Sequence, residues 1–172
     1  MSDTIARPPR FLNPWRIAGW GLVATLLSLP ALLRFPWTVS DFIVMGVLLG
    51  TLGLGVEFLV RQTGSAFVRL GVIVAMITGF LTVWVNLAVG MIGDGGPYNL
   101  WFGGVLLVAL IGGILVRLRP EGMVRVTLLT AALQVAVGLG GYGLDPRGAV
   151  LSSGFALFWL LSAALFQAGS NR

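Results

Sequence analysis

Apolar residues in this chain come in long continuous runs, and the short segments between them carry most of the charge and much of the proline and asparagine. Six such runs, at 17–33, 41–60, 67–92, 100–115, 122–141 and 150–166, come close to or exceed the roughly 20 residues that a helix needs to cross a bilayer. Within lipid every backbone polar group must be satisfied inside the segment, which leaves helices and closed barrels. The runs lack the apolar/polar alternation of barrel strands. A buried helical core of a soluble protein is the competing reading, but so few charges could not cover six such helices. The pattern predicts an all-α, polytopic membrane helix bundle. Its expected division is a tail at 1–15, a six-helix transmembrane domain at 16–167 and a second tail at 168–172.

The arginines set the expected orientation, because short cytoplasmic loops are enriched in basic residues. Arg7, Arg10, Arg16, Arg61, Arg69, Arg117, Arg119, Arg125 and Arg172 fall on one side of the six spans. Of the eleven basic residues, this leaves only Arg34 and Arg147 opposite. Both termini are therefore expected to be cytoplasmic. Trp37, Tyr98, Trp101 and Tyr142 fall at the expected outer boundary and Trp15 and Trp20 at the inner one, where such rings prefer to sit. Trp159 lies mid-span and should pack or face lipid. The first run is too long for a usual signal-peptide core and has no clear cleavage site before Arg34, so it reads as a retained anchor. These features point to a multi-pass protein of the bacterial inner membrane.

Composition narrows the chemistry. The chain has no His and no Cys among its 172 residues, and its basic residues are all arginine. That removes thiolate chemistry and the most frequent acid–base side chains, and excludes bis-histidine haem ligation within the chain. No catalytic or metal-binding set can be assembled, so no enzyme activity and no cofactor are expected. The net charge of +5 is spread along membrane edges instead of forming a nucleic-acid stripe. Anionic headgroups at the cytoplasmic face are the expected partners.

Most acids have local explanations. Glu57, the one carboxylate inside an apolar run, precedes Arg61 by four residues, the favourable order for a helical ion pair. Thr38 and Asp41 have capping-box spacing. Asp145 before Pro146 suits an N-cap followed by proline at the first helical position, and Glu121 sits in a first turn. Asp94 lies in a glycine-rich outer turn, where Gly93, Gly95 and Gly96 allow backbone conformations closed to other residues. Asn99 is placed to cap the fourth span. Two amides remain inside the spans, Asn86 and Gln134, and each should face the bundle interior and bond to another helix. Thr127 and Thr130 share the Gln134 face. Gly46 and Gly50, four apart, and Gly103, Gly104, Gly112 and Gly113 mark faces where helices could approach closely.

A weak internal repeat relates Leu59-Val60-Arg61 and Val68-Arg69 to Leu115-Val116-Arg117 and Val124-Arg125, which would make spans two and three and spans four and five related hairpins. The stretch Trp84-Val85-Asn86-Leu87-Ala88-Val89-Gly90-Met91-Ile92-Gly93, followed by Pro97, Asn99 and Leu100 and then by Arg119-Pro120-Glu121-Gly122-Met123, resembles a group of small, uncharacterised bacterial polytopic inner-membrane proteins. These carry V-N-L-A-V-G-x-I-G, a turn ending N-P-x-N-L and an R-P-x-G-M turn. The resemblance covers about the central third of the chain and implies no particular activity. The outer turn departs from the pattern, with Gly96 before Pro97, which puts in doubt any ligand held by that turn elsewhere in the group.

The functional expectation is a non-catalytic membrane protein, an accessory, assembly or scaffold subunit that acts through helix packing, as a homo-oligomer or within a larger complex. The alternative is a small-solute carrier or channel with a polar path near Asn86 and Gln134.

Overall fold

The structure is a computed structural model that describes residues 14–61 and 65–171. Arg7, Arg10, Arg172, most of the N-terminal tail and the side chain of Trp15 lie outside the described residues. The described residues are mainly helical and include no strand, in the order α1 (Pro14–Leu32), α2 (Val39–Arg61), α3 (Ala66–Ala88), α4 (Leu100–Leu115), α5 (Pro120–Gly140), α6 (Pro146–Gly154) and α7 (Ala156–Ser170). A short 3₁₀ turn, Pro97–Asn99, leads into α4. Among the described residues, five segments are long and apolar enough to cross a membrane: α2, α3, the 3₁₀ turn with α4, α5, and α6 with α7. The apolar helix at Arg16–Leu32 is shorter.

The chain forms two compact units, Met1–Leu54 and Gly55–Arg172. In the first, α2 opens on a reciprocal cap. The Thr38 N–H donates to Asp41 Oδ2 at 2.7 Å and the Asp41 N–H is 3.4 Å from Thr38 Oγ1, so each residue satisfies a donor that the helix start leaves orphaned. Trp37 meets Phe42 edge-on with ring centroids 5.2 Å apart. Further along α2, the Trp20 ring of α1 lies over Gly53.

In the second unit α7 packs against both α3 and α5, and α5 packs in addition against α4 and α6. Its core is layered along the helix axes. One layer holds Val68, Val72, Met123 and Phe166; the next, Ala131, Ala156 and Trp159; the last, Met91, Ile92, Phe102 and Ala149. Small residues permit the close approaches. A Cβ on Gly71 would lie 3.2 Å from the Phe166 ring, and one on Gly112 2.8 Å from Val126. Gly138 lies against Ser152 and Ser153 and Gly169 against Val68. Such contacts gain dispersion energy where lipid offers no hydrophobic driving force between helices.

Two spans differ from their sequence pattern. The third was expected to reach residue 92, but α3 ends at Ala88. Gly90 takes φ +76°, and the N–H groups of Val89 and Gly90 both donate to Val85 O at 3.0 Å. A left-handed glycine ends the helix, and Met91 and Ile92 then turn inward and are buried. Continuous hydrophobicity conceals this stop because the first residues of the loop, Val89, Met91 and Ile92, are apolar. The sixth span is interrupted at Phe155, the shared boundary of α6 and α7, where the Phe155 N–H donates to Ser152 O at 3.2 Å in a tighter turn. The helix α7 also runs past the expected end at 166, to Ser170.

Candidate functional site

The residues singled out in the sequence fall into separate places. Gly46 has only Leu27 near its Cβ direction, at 3.9 Å, and Gly50, Gly103 and Gly104 have no neighbour within 4 Å there. Among the described residues the close helix approaches are at Gly71, Gly112, Gly138 and Gly169. Glu57 and Arg61 form the expected ion pair along α2. Its arginine is 62% exposed, so solvent or headgroup screening leaves it little stabilising value.

On α3, Thr78, Thr82 and Asn86 form a ladder at helical i, i+4 spacing. Thr78 Oγ1 donates to Val74 O at 2.7 Å, Thr82 Oγ1 to Thr78 O at 2.9 Å, and Asn86 Nδ2 to Thr82 O at 2.8 Å. Asn86 thus bonds within its own helix and not across to another, and its buried Oδ1 makes no hydrogen bond to the protein. A long apolar helix satisfies its polar side chains most cheaply against its own carbonyls, which already lie one turn away.

On α5, Thr127 and Thr130 do the same, donating to Met123 O and Val126 O at 2.8 Å each. They do not partner Gln134. The Gln134 side chain is fully buried, and its Nε2 donates at 3.0 Å to Ser152 O on α6. That carbonyl lies in the distorted turn at the α6/α7 boundary, where it also accepts the Phe155 N–H, so the amide adds a partner where the regular helical ladder is lost. The amide oxygen Oε1 has no protein partner, and neither does the indole Nε1 of Trp159, which is only 2% exposed. Leaving a buried polar group unmatched costs about 1–3 kcal/mol. Ser162 completes the interior by donating to Gly71 O at 2.9 Å and tying α7 to α3.

The 89–99 loop is the most highly organised polar region. Asn99 was expected to cap α4, but its side chain makes no cap bond to that helix. It turns back into the loop instead, with Oδ1 accepting the N–H groups of Met91 and Ile92 at 2.9 Å each and Nδ2 donating to Ile92 O at 2.8 Å. Asp145 caps α6 as expected, accepting from Arg147 N at 3.1 Å and Gly148 N at 3.0 Å. Its other oxygen accepts the Gly93 N–H at 3.0 Å, which locks the two loops together. These donors favour the charged form, so the carboxyl is held below the usual carboxylate range, chiefly by the Gly148 N–H and then by that of Gly93. Tyr98 adds a further tie, donating to Val137 O at 2.7 Å. A side chain at Gly148 would collide with the Asp145 carboxylate and the Met91 carbonyl. Asp94 stays exposed at the turn. Of the expected turn glycines, Gly93 and Gly95 have positive φ, whereas Gly96 is at −63°.

At the other end of this unit, the 115–120 turn places Arg117 and Leu118 in the left-handed region, at φ 51° and 56°. Beside it lies an open cleft of about 400 Å³ lined by Leu115, Val116, Arg117, Arg119, Glu121 and Gly122. Among the described residues no group of three or more His, Cys, Asp or Glu side chains could hold a metal ion. Comparison with known protein families, curated proteins and solved structures found no match.

Proposed function

We propose that this chain is a six-span protein of the bacterial inner membrane, with both termini cytoplasmic, that acts without catalysis as an accessory, assembly or scaffold subunit through helix packing. The observation that supports this reading is the use made of the interior polar side chains. The buried ones are the neutral residues Thr78, Thr82, Thr127, Thr130, Gln134, Ser152 and Ser162. Each donates to a backbone carbonyl, so they serve the architecture of the bundle. The large apolar side chains of Leu100, Ile114, Leu115 and Leu151 point outward, toward lipid or a partner helix. Arg117 and Arg119 beside the cleft suit anionic headgroups, and the resemblance of the 84–93 stretch to small bacterial inner-membrane proteins agrees with this reading.

Gentle solubilisation of native membranes should yield the protein with a stoichiometric partner or as a homo-oligomer. A strictly monomeric species without a partner would overturn the reading. For topology, a cysteine placed at Gly64 should resist membrane-impermeant labelling of intact cells, and rapid labelling from outside would reverse the orientation.

The unmatched oxygens of Asn86 and Gln134 favour a second reading, a carrier or channel for a small neutral solute. Solute flux in reconstituted vesicles that Gln134→Leu abolishes while leaving the protein assembled would select it.

A further inference from the structure

We propose that a buried water molecule bridges Gln134 Oε1 and Trp159 Nε1 between α5 and α7, as a built-in part of the helix interface. The two atoms are chemically complementary. The indole N–H can only donate and the amide oxygen can only accept, so a water that accepts from the first and donates to the second satisfies both. Each side chain is at least nine-tenths buried, and neither atom has a protein partner.

The helix geometry brings them together. α5 runs antiparallel to the α6–α7 segment, as shown by the Gln134 bond to Ser152 of α6 at one end and the packing of Met123 with Phe166 of α7 at the other. Trp159 lies seven residues beyond Ser152, about 10 Å further along at helical rise. Side chains on a helix lean toward its N-terminus. Gln134 therefore leans down α5 and Trp159 leans up α7, so each approaches the level of the other. Trp159 belongs to the same packed layer as Ala131 and Val135, the residues three before and one after Gln134.

A third partner is available. Thr130 is one turn before Gln134 on the same helix, and its hydroxyl hydrogen is already given to Val126 O, which leaves oxygen lone pairs for the second water hydrogen. Three partners are typical of a buried water. No buried side chain in this layer is charged, which favours a neutral occupant over an ion.

The test uses the full chain in detergent micelles, labelled with ¹⁵N-tryptophan. The Trp159 indole signal, assigned by its loss in Trp159→Phe, should show a hydrogen-bonded proton shift and a direct cross-peak to water. In both Gln134→Leu and the less disruptive Gln134→Met the proton should move upfield and the water cross-peak should weaken, while the other indole signals stay in place. An indole proton without a hydrogen-bonded shift would overturn the proposal. So would a hydrogen-bonded proton with no water cross-peak, which would mean that Gln134 and Trp159 bond directly. A water cross-peak unaffected by either Gln134 variant would also overturn it, because the water would then sit elsewhere.

Discussion

Asn99 shows how one side chain can organise a loop that has no regular structure. Its oxygen holds two backbone N–H groups and its nitrogen holds a carbonyl, so Asn99→Leu leaves three polar groups unmatched in a partly buried turn. The expected loss is about 2 kcal/mol of unfolding free energy. Asn99→Asp keeps the two acceptor bonds and loses the donations to Ile92 O and, more weakly, Gly96 O, and it should cost clearly less. Denaturant titration in mixed micelles will separate the two, and equal destabilisation by both would show that the latch does not depend on the acceptor. The residue itself was legible in the sequence as a turn asparagine. Its role was not, because asparagine before a helix reads as a cap, and only the path of the loop reveals that the side chain points backward.

The helices were the most readable part of the chain because a bilayer-length apolar run admits few alternatives. The boundaries of α4 coincide with the expected 100–115. Hydrophobicity and helicity separate at two places: Met91 and Ile92 are apolar but belong to a loop, and the segment Ser152-Ser153-Gly154 lies inside the apolar run 150–166 although the helix breaks directly after it. That small, polar cluster was the available signal for the break at Phe155. The partners of the amides were hidden for a different reason, since periodicity gives the face of a residue but not whether it bonds its own helix or the next. Asn86 bonds its own, which reverses the expected effect of removing it. Asn86→Leu deletes a buried unmatched oxygen and frees a carbonyl that the helix ladder already uses, so stability should rise, by about 1 kcal/mol. A loss above about 1 kcal/mol in the same titration would point to an interhelical partner.

The acid response of the whole protein should carry the signature of Asp145. Its carboxyl is held below its ordinary value chiefly by the Gly148 N–H of its own helix cap and then by the Gly93 N–H of the other loop, and both are in place only in the folded protein. A depressed folded value means that the stabilisation is fully present above the unfolded value of about 3.9. It is then lost as the pH falls through the folded value. Thermal unfolding followed from pH 6 down to pH 2 should therefore show a progressive loss below about pH 4 that is smaller in Asp145→Asn. Parallel curves for the two proteins would remove Asp145 from the acid response. No sequence pattern could have joined Asp145 to Gly93, which lies 52 positions earlier; the cap at Asp145 was visible because it is local, and the tie was not because it depends on how α3 and α5 are placed.

That tie also imposes an order of events on synthesis. Gly93 leaves the ribosome long before Asp145, and α4 and α5 lie between them, so the earlier loop cannot be locked until the last hairpin has begun to form. A chain arrested near residue 141 should therefore carry an 89–99 loop that proteases cut readily, and release of an arrested chain through residue 171 should make the same loop resistant. The final helices would then act as the clasp that closes a region translated some fifty residues earlier, and damage to the C-terminal hairpin would first be detected as an opening in the middle of the protein.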